Sequence, residues 1–194
     1  MDNTLRHILT GIRYTAVSVI FFGLIYPLVM TGLAQAIFPY QANGSMITVN
    51  GKTVGSEIIG QLWTKPQYFQ GRPSAAGSKG YDPTSTGGTN LGPTSKKLLD
   101  STAATVKALI AANPDAKGPV PADLVSSSAS GIDPEISPEG AYFQIARVAK
   151  ARRMSQDAVR AIVDAHTRGR DLGFLGEPRV NVLDLNLALD AAHS

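Results

Sequence analysis

The apolar residues are distributed very unevenly along the chain. From Tyr14 to Gly51 there is no Asp, Glu, Lys or Arg. Within that stretch, residues 14–38 read YTAVSVIFFGLIYPLVMTGLAQAIF, where only Thr15, Ser18, Thr31 and Gln35 are clearly polar. Spanning about 30 Å of hydrocarbon at about 1.5 Å per residue takes about 20 apolar residues. The pattern therefore predicts a transmembrane helix over 14–38, with Tyr14 and Tyr40 at its interfacial ends. Pro27 removes a backbone donor in mid-span, so a kink is expected there, which bilayer helices tolerate. Gly23, Pro27 and Gly32 would allow close packing against a neighbouring helix, although the glycines lack the four-residue spacing of a dimerisation motif.

A cleaved signal peptide is the rival reading, because Ala34-Gln35-Ala36 resembles a small-x-small cleavage site. The apolar run before it, about 19 residues, exceeds the usual secretory core of about 7–15, which favours an uncleaved anchor. Arg6 and Arg13 precede the span, and the next basic residue is Lys52. The positive-inside rule then makes 1–13 a short cytoplasmic tail, 14–38 the span and 39–194 an extracytoplasmic domain.

The rest of the pattern predicts a fold of the α+β class: one N-terminal transmembrane helix followed by one mixed α/β domain. Residues 45–54, SMITVNGKTV, place Asn-Gly between two short β-prone runs and predict a hairpin. Ile58, Ile59, Leu62, Trp63, Tyr68 and Phe69 read as core leading into a loop. Residues 71–94 hold 17 Gly, Pro, Ser, Thr or Asn among 24 positions. Such a stretch is either a flexible connection or an ordered loop packed on a partner, since long structureless connections are uncommon in compact domains. Residues 95–112 predict a helix with Leu98, Leu99, Thr102, Val106, Leu109 and Ile110 along one side, stopped by Asn113-Pro114. Ser137-Pro138-Glu139 opens a second, with Ala141, Ile145, Val148 and Ala149 inward and Arg147, Lys150, Arg152 and Arg153 outward. Ser155 caps a third that carries Val159, Ile162 and Val163. Leu183, Leu185, Leu187 and Leu189 alternate as in a strand, while the residues between them also allow a helix. A short strand followed by a helix is expected.

Composition narrows the function. Eighteen Lys and Arg against 15 Asp and Glu give a net charge of +3, and 17% of residues are charged, against about 25% typically. So weak a field excludes a nucleic-acid binder driven by a basic surface. The absence of cysteine excludes disulfides, thiolate metal sites and cysteine nucleophiles.

The search for catalytic chemistry is mostly negative. Residues 71–79 end in Gly-Ser-Lys without P-loop spacing, and no Gly-x-Ser-x-Gly elbow occurs. His7, His166 and His193 are scattered, and His166 suits a structural role at a helix C-terminus. The Arg147–Arg153 cluster reads as a solvated helix face, with a phosphate or lipid headgroup site as the alternative. No nucleophile, base and oxyanion donor assemble, so an autonomous enzyme is not expected.

Several unusual strings occur in one order: Gly55-Ser56 with Gly60-Gln61, Tyr68-Phe69 with Gly71-Arg72-Pro73-Ser74, STGGTNLGPTS at 85–95 and PVPADLV at 119–125. SGIDPEISP at 130–138, the arginines of 147–152 and HTRGRDLGFLGEPRVNVLDLNLALD at 166–190 complete the set. On these strings the chain resembles the C subunit of the bacterial high-affinity potassium-transporting ATPase, the KdpC family. The resemblance covers essentially the whole chain, including the N-terminal span.

The resemblance implies an accessory, non-catalytic subunit of the bacterial inner membrane. It would assemble with a channel-like potassium-binding subunit, a P-type ATPase catalytic subunit and a small single-helix subunit, in contact with lipid and without nucleic acid. ATP and potassium would be used by the complex, and no cofactor or metal is expected on this chain, which lacks the Asp-Lys-Thr-Gly-Thr phosphorylation sequence. Its role would be to stabilise the assembly and shape the external potassium entrance, with any effect on ATP affinity transmitted allosterically. The docking candidates are two loops: Tyr68, Phe69, Gly71, Arg72, Pro73 and Ser74, and Gly87, Gly88, Asn90, Leu91, Gly92 and Pro93. Ordinary turn geometry is the competing account of both, and Gly88→Asp is expected to release the subunit without unfolding it. A membrane-anchored extracytoplasmic binding module acting independently of a transporter is the alternative function, and an anchored hydrolase using His166 is a weaker third.

Overall fold

A computed structural model of the protein describes residues 3–192; residues 1, 2, 193 and 194, including His193, lie outside the described residues. The chain divides into two compact units, Met1–Met46 and Ile47–Ser194.

The first unit is dominated by one 35-residue helix, α1 (Asn3–Ile37), none of whose residues is buried. It is longer than the apolar run because residues 3–13 hold no breaker, and Leu5, Ile8 and Ile12 continue a helical spacing. At roughly 1.5 Å per residue it is about 50 Å long, more than the hydrocarbon core requires. Pro27 is accommodated by a π-helical stretch, Val19–Ile25, in which Tyr26 N–H donates to the carbonyl of Phe21. The proline ring crowds the carbonyl four residues back, and the wider turn on its N-terminal side leaves room. A Cβ at Gly32 would meet nothing within 4 Å, and one at Gly23 only Val19, so both leave the helix surface open. The helix stops at Phe38 (φ −131°, ψ 57°), driven out of the helical region by the following Pro39. After the short helical turn Pro39–Ala42, Asn43 Nδ2 donates to Pro39 O (2.6 Å) and Gln35 Oε1 (3.1 Å).

Strands β1 (Met46–Val49) and β2 (Lys52–Ser56) pair across Asn50 (φ +52°) and Gly51 (φ +75°), the positive-φ pair of the expected hairpin turn. The core of the second unit is built from three more strands and three helices. Strands β3 (Glu135–Ile136), β4 (Thr167–Arg168) and β5 (Arg179–Asn181) form an antiparallel sheet in the order β3-β5-β4. Ile136 and Thr167 both register with Val180. A further helix, α2 (Lys96–Ala112), precedes the sheet in the chain. Helices α3 (Pro138–Arg152), α4 (Gln156–Ala165) and α5 (Val182–Ala192) bury Phe143, Ile145, Val148, Val159, Val163, Leu185 and Leu189 with Phe69, Leu124, Ile136 and Val180.

Serines open three helices as expected, with Oγ accepting from an N–H three residues on: Ser95 from Leu98 (3.4 Å), Ser137 from Gly140 (2.9 Å) and Ser155 from Ala158 (3.1 Å). Asn181 opens α5, its Oδ1 accepting from Leu183 (3.0 Å) and Asp184 (3.1 Å). That cap turns the chain into a helix immediately after β5. All four alternating leucines lie on α5, and Leu183, Leu185 and Leu189 are buried.

Two expectations about the core fail. Ile58 and Leu62 are exposed, and only Phe69 and part of Trp63 from that run reach the core. Helix α2 buries no residue: Leu99 is 61% and Ile110 53% exposed, because the helix lies at the rim and only Leu109 packs against the cluster.

Candidate functional site

Of the two loop segments singled out from sequence, 68–74 is built into the second unit by a network of side chains, and 87–93 is tied to it through the backbone of Gly87. Residues 66–70 run beside α3 and α5 without strand partners, so their backbone groups need others. Asn186, fully buried on α5, supplies both functions of a neighbouring strand to Phe69: Oδ1 accepts its N–H (2.8 Å) and Nδ2 donates to its carbonyl (3.0 Å). Gln144 on α3 does the same for Gln70, at 2.8 and 3.1 Å.

Two arginines complete the clamp, and here the outward, solvated reading of the 147–153 cluster is corrected. Arg147 donates from Nη1 to the carbonyls of Pro66 (2.7 Å) and Tyr68 (3.0 Å), from Nε to Asn113 Oδ1 (2.9 Å) and from Nη2 to Gln144 Oε1 (2.6 Å). Burial pushes its guanidinium down to about 10, still charged at neutral pH. Arg152, 5% exposed, donates to the carbonyls of Gln67 (2.7 Å) and Leu189 (3.1 Å) and pairs with Asp190 Oδ1 (2.7 Å). Its guanidinium lies 5.0 Å from the centre of the Tyr68 ring, whose other neighbour is Trp63 at 4.7 Å. The helical spacing that turns polar residues outward did not register that the loop ahead of α2 lies on that face and offers bare carbonyls. Lys150 and Arg153 are exposed, as expected.

Segment 71–88 is organised around Ser74 and Tyr81. Ser74 Oγ accepts from the N–H groups of Tyr81 (2.7 Å) and Ala76 (3.2 Å) and donates to the Gly131 carbonyl, while Tyr81 Oη donates to the Arg72 carbonyl. Arg72 pairs with Asp133 at 3.0 Å. Burial pushes the Tyr81 hydroxyl up to about 12; Asp133 adds to the shift and Arg72 opposes it. Glycine is required by space at several points. A Cβ on Gly71 would meet Tyr81 Oη at 2.6 Å, and one on Gly131 (φ +70°) would meet Gly87 O at 2.7 Å and Ala76 at 2.8 Å. Gly87 N–H donates to Ser130 O at 2.8 Å. The loop is thus ordered on its own chain between 71 and 88.

Among the proposed docking residues, the side chain of Phe69 is wholly buried and has no surface to offer. Tyr68, Gly71, Arg72, Pro73, Ser74, Gly87, Gly88 and Leu91 are half-buried, and Asn90 (φ +52°), Gly92 and Pro93 are exposed. A Cβ on Gly88 would sit 3.3 Å from backbone atoms of Ser128 and Ala129, so Gly88→Asp strains the domain itself.

His166 closes α4 with Nδ1 at 2.8 Å from Ile162 O, the expected structural role. Among the described residues no three His, Cys, Asp or Glu groups are placed to hold a metal ion.

The structure assembles a framework from the strings on which the resemblance rests: 68–74 against 130–133, Arg147 and 186–190, with Arg152 joining 67 to 189–190. Residues 8–191 match the family described as K+-transporting ATPase, c chain. The chain belongs to the KdpC family. Proteins named potassium-transporting ATPase KdpC subunit are similar to it over nearly its whole length. That of Koribacter versatilis is 53% identical, covering 95% of this chain and 94% of its own. Those of Myxococcus xanthus (55%; 94% and 86%) and Allorhizobium ampelinum (54%; 97% and 97%) are comparable. The KdpC match includes most of α1, the one helix among the described residues long and apolar enough to cross a membrane.

Proposed function

We propose that this chain is a non-catalytic, single-span subunit of an ATP-driven potassium import complex in the bacterial inner membrane. Its tail (1–13) is cytoplasmic, 14–38 crosses the bilayer, and the domain from 39 onward is extracytoplasmic. There it stabilises the assembly of a channel-like potassium-binding subunit, a P-type ATPase subunit and a small single-helix subunit, and shapes the external potassium entrance. Its own loops, not a bound cofactor, carry the contacts: Tyr68 and 71–74 in one segment, 87–93 in the other. Gly23, Pro27 and Gly32 face neighbouring helices. ATP and potassium are handled by the partner subunits, and any influence on ATP affinity passes through the membrane part.

One observation carries the reading: residues 14–37 of α1 are predominantly apolar, carry no charge and are not buried against the rest of the chain, a length and composition that suit a bilayer span. Family membership over 8–191 supports the choice of complex. The test is affinity isolation of the chain from mildly solubilised, potassium-starved membranes, with mass spectrometry and an ATPase assay. Co-purification of a P-type ATPase and a channel-like subunit, with potassium-stimulated hydrolysis, is expected. Recovery of the chain alone in several detergents refutes the reading.

That second result would favour the anchored binding module. A groove of about 950 Å³ between residues 115–123 and helices α3 and α4, floored by Val120, Tyr142 and Phe143, gives that alternative a place for a small molecule.

A further inference from the structure

The connection between β4 and β5 presents the two most exposed large apolar side chains among the described residues of the second unit, Leu172 and Phe174, with Leu175 beside them. Leu172 is 82% exposed, Phe174 69% and Leu175 50%, side by side in RDLGFLGE. Their combined apolar surface is on the order of 300 Å², at the lower end of the largest patch on a typical monomer, which is often functional.

The loop holds these side chains out on a fixed backbone. Asp171 and Leu175 exchange N–H···O bonds in both directions at 2.9 Å, and Gly173 N–H closes a turn onto Arg170 O at 3.1 Å. Gly173 (φ +82°) and Gly176 (φ +74°) supply the positive-φ corners. Leu172 adopts φ +54°, a conformation that costs a branched side chain about 1 kcal/mol or more. Arg179 braces the base, donating to Asp171 (3.1 Å) and Glu135 (3.1 Å), and Arg170 pairs with Glu177 (2.6 Å). These bonds and ion pairs hold the three side chains outward on an ordered backbone.

The surrounding charge indicates what covers the tip. Three guanidiniums, Arg168, Arg170 and Arg179, face five carboxylates, Glu57, Glu135, Asp171, Glu177 and Asp184, and each guanidinium is paired within that set. Bilayer-inserting loops carry cations free to meet anionic headgroups; this collar has none free and an excess of negative charge. The area also excludes a tip-to-tip dimer, because a stable interface takes about 800 Å² from each partner. An apolar cluster of this size acts instead as the anchor within a larger contact.

We propose that residues 172–175 are such an anchor, inserting into an apolar socket with a non-acidic rim on another protein subunit of the complex. The inference rests on the subunit reading and adds a contact that the loops 68–74 and 87–93 do not include.

The test replaces Phe174 by photoreactive p-benzoylphenylalanine in the full chain, co-expressed with its complex in native membranes, with Lys107 on exposed α2 as the control position. Irradiation is expected to join position 174, and not position 107, to one of the co-purifying subunits. In parallel, the double variant Leu172→Ser, Phe174→Ser should lower the chain retained in the solubilised complex at least tenfold. Its unfolding midpoint should stay within about 2 °C of the parent, since the replaced side chains are exposed. Adducts to lipid, adducts only to a second copy, or no position-specific adduct in a complex that still co-purifies overturn the anchor and leave the subunit reading intact. Absence of any co-purifying subunit overturns both.

Discussion

Arg152→Ala isolates the clamp that holds residues 66–70 in place. Its guanidinium is 5% exposed and makes three charge-assisted contacts, to the carbonyls of Gln67 and Leu189 and to Asp190. Asp190 is 47% exposed and regains water when its partner is lost, but the carbonyls of Leu189, in a buried contact, and Gln67, in a half-buried one, lose their donor. Two stranded acceptors at about 1–3 kcal/mol each, with the lost stacking on Tyr68, give a destabilisation of roughly 3–5 kcal/mol. For a unit of this size that lowers the midpoint by about 10–15 °C. Far-UV dichroism would be dominated by the detergent-embedded α1, so the assay should follow the single tryptophan, Trp63, which stacks on Tyr68. Arg152→Met should fare no better than alanine, because restored volume does not satisfy the carbonyls, and Arg152→Lys should recover only part. If Arg152→Ala costs no more than Lys150→Ala on the solvent side of the same helix, the clamp contributes nothing and the reasoning fails.

The same tryptophan reports two further changes. Gly131→Ala places a methyl carbon 2.7–2.8 Å from Gly87 and Ala76 at φ +70°, and should cost roughly 2–4 kcal/mol; a loss below about 1 kcal/mol would mean that 71–88 is not packed on 128–131. Tyr81 has its hydroxyl pushed up to about 12 from 10.0, so the folded state holds its proton more tightly than the unfolded state. Its contribution is complete below pH 10 and is lost as pH rises towards 12, at most roughly 2–3 kcal/mol. Tyr81→Phe should cost about 1 kcal/mol at pH 8 for the lost hydrogen bond and flatten the stability decline between pH 10 and 12; parallel slopes for parent and variant would refute the assignment.

What the sequence displays are features whose cause lies within a few residues. Ser95, Ser137 and Ser155 satisfy N–H groups three positions on, and Asn50-Gly51 fixes its own turn. The apolar run of α1 is legible because length and composition alone decide it. Arg147 and Arg152 were misplaced because their acceptors lie 79 to 85 residues away for the loop carbonyls, beyond any local periodicity. Asn186 and Gln144, which contact Phe69 and Gln70 at separations of 117 and 74 residues, carried no signal except being amides on otherwise apolar helix faces. A polar side chain at a core position of a helix is a mark that can be read: it must be hydrogen-bonded when buried, and the partner is backbone more often than not.

The Gly- and Ser-rich loop shows the same limit from the other side. Its composition fits a flexible connection, since each residue type favours turns. Yet Ser74 engages the backbone on three sides, and Gly71 is small because Tyr81 lies over it. The residues that make a free chain mobile are also those that let two backbones approach closely enough to hydrogen-bond. Which outcome holds is decided by whether a buried hydroxyl and a ring lie opposite them, and here Tyr81, within the loop itself, supplies both. Hence 71–88 is ordered before any partner arrives. Exposed apolar side chains remain at Ile58 and Leu62 and, most fully, at 172–175, where Leu172 is 82% and Phe174 69% exposed. Composition directed attention to the first loop, whereas solvent exposure of hydrophobic side chains, a property only the folded chain has, directs it to the second.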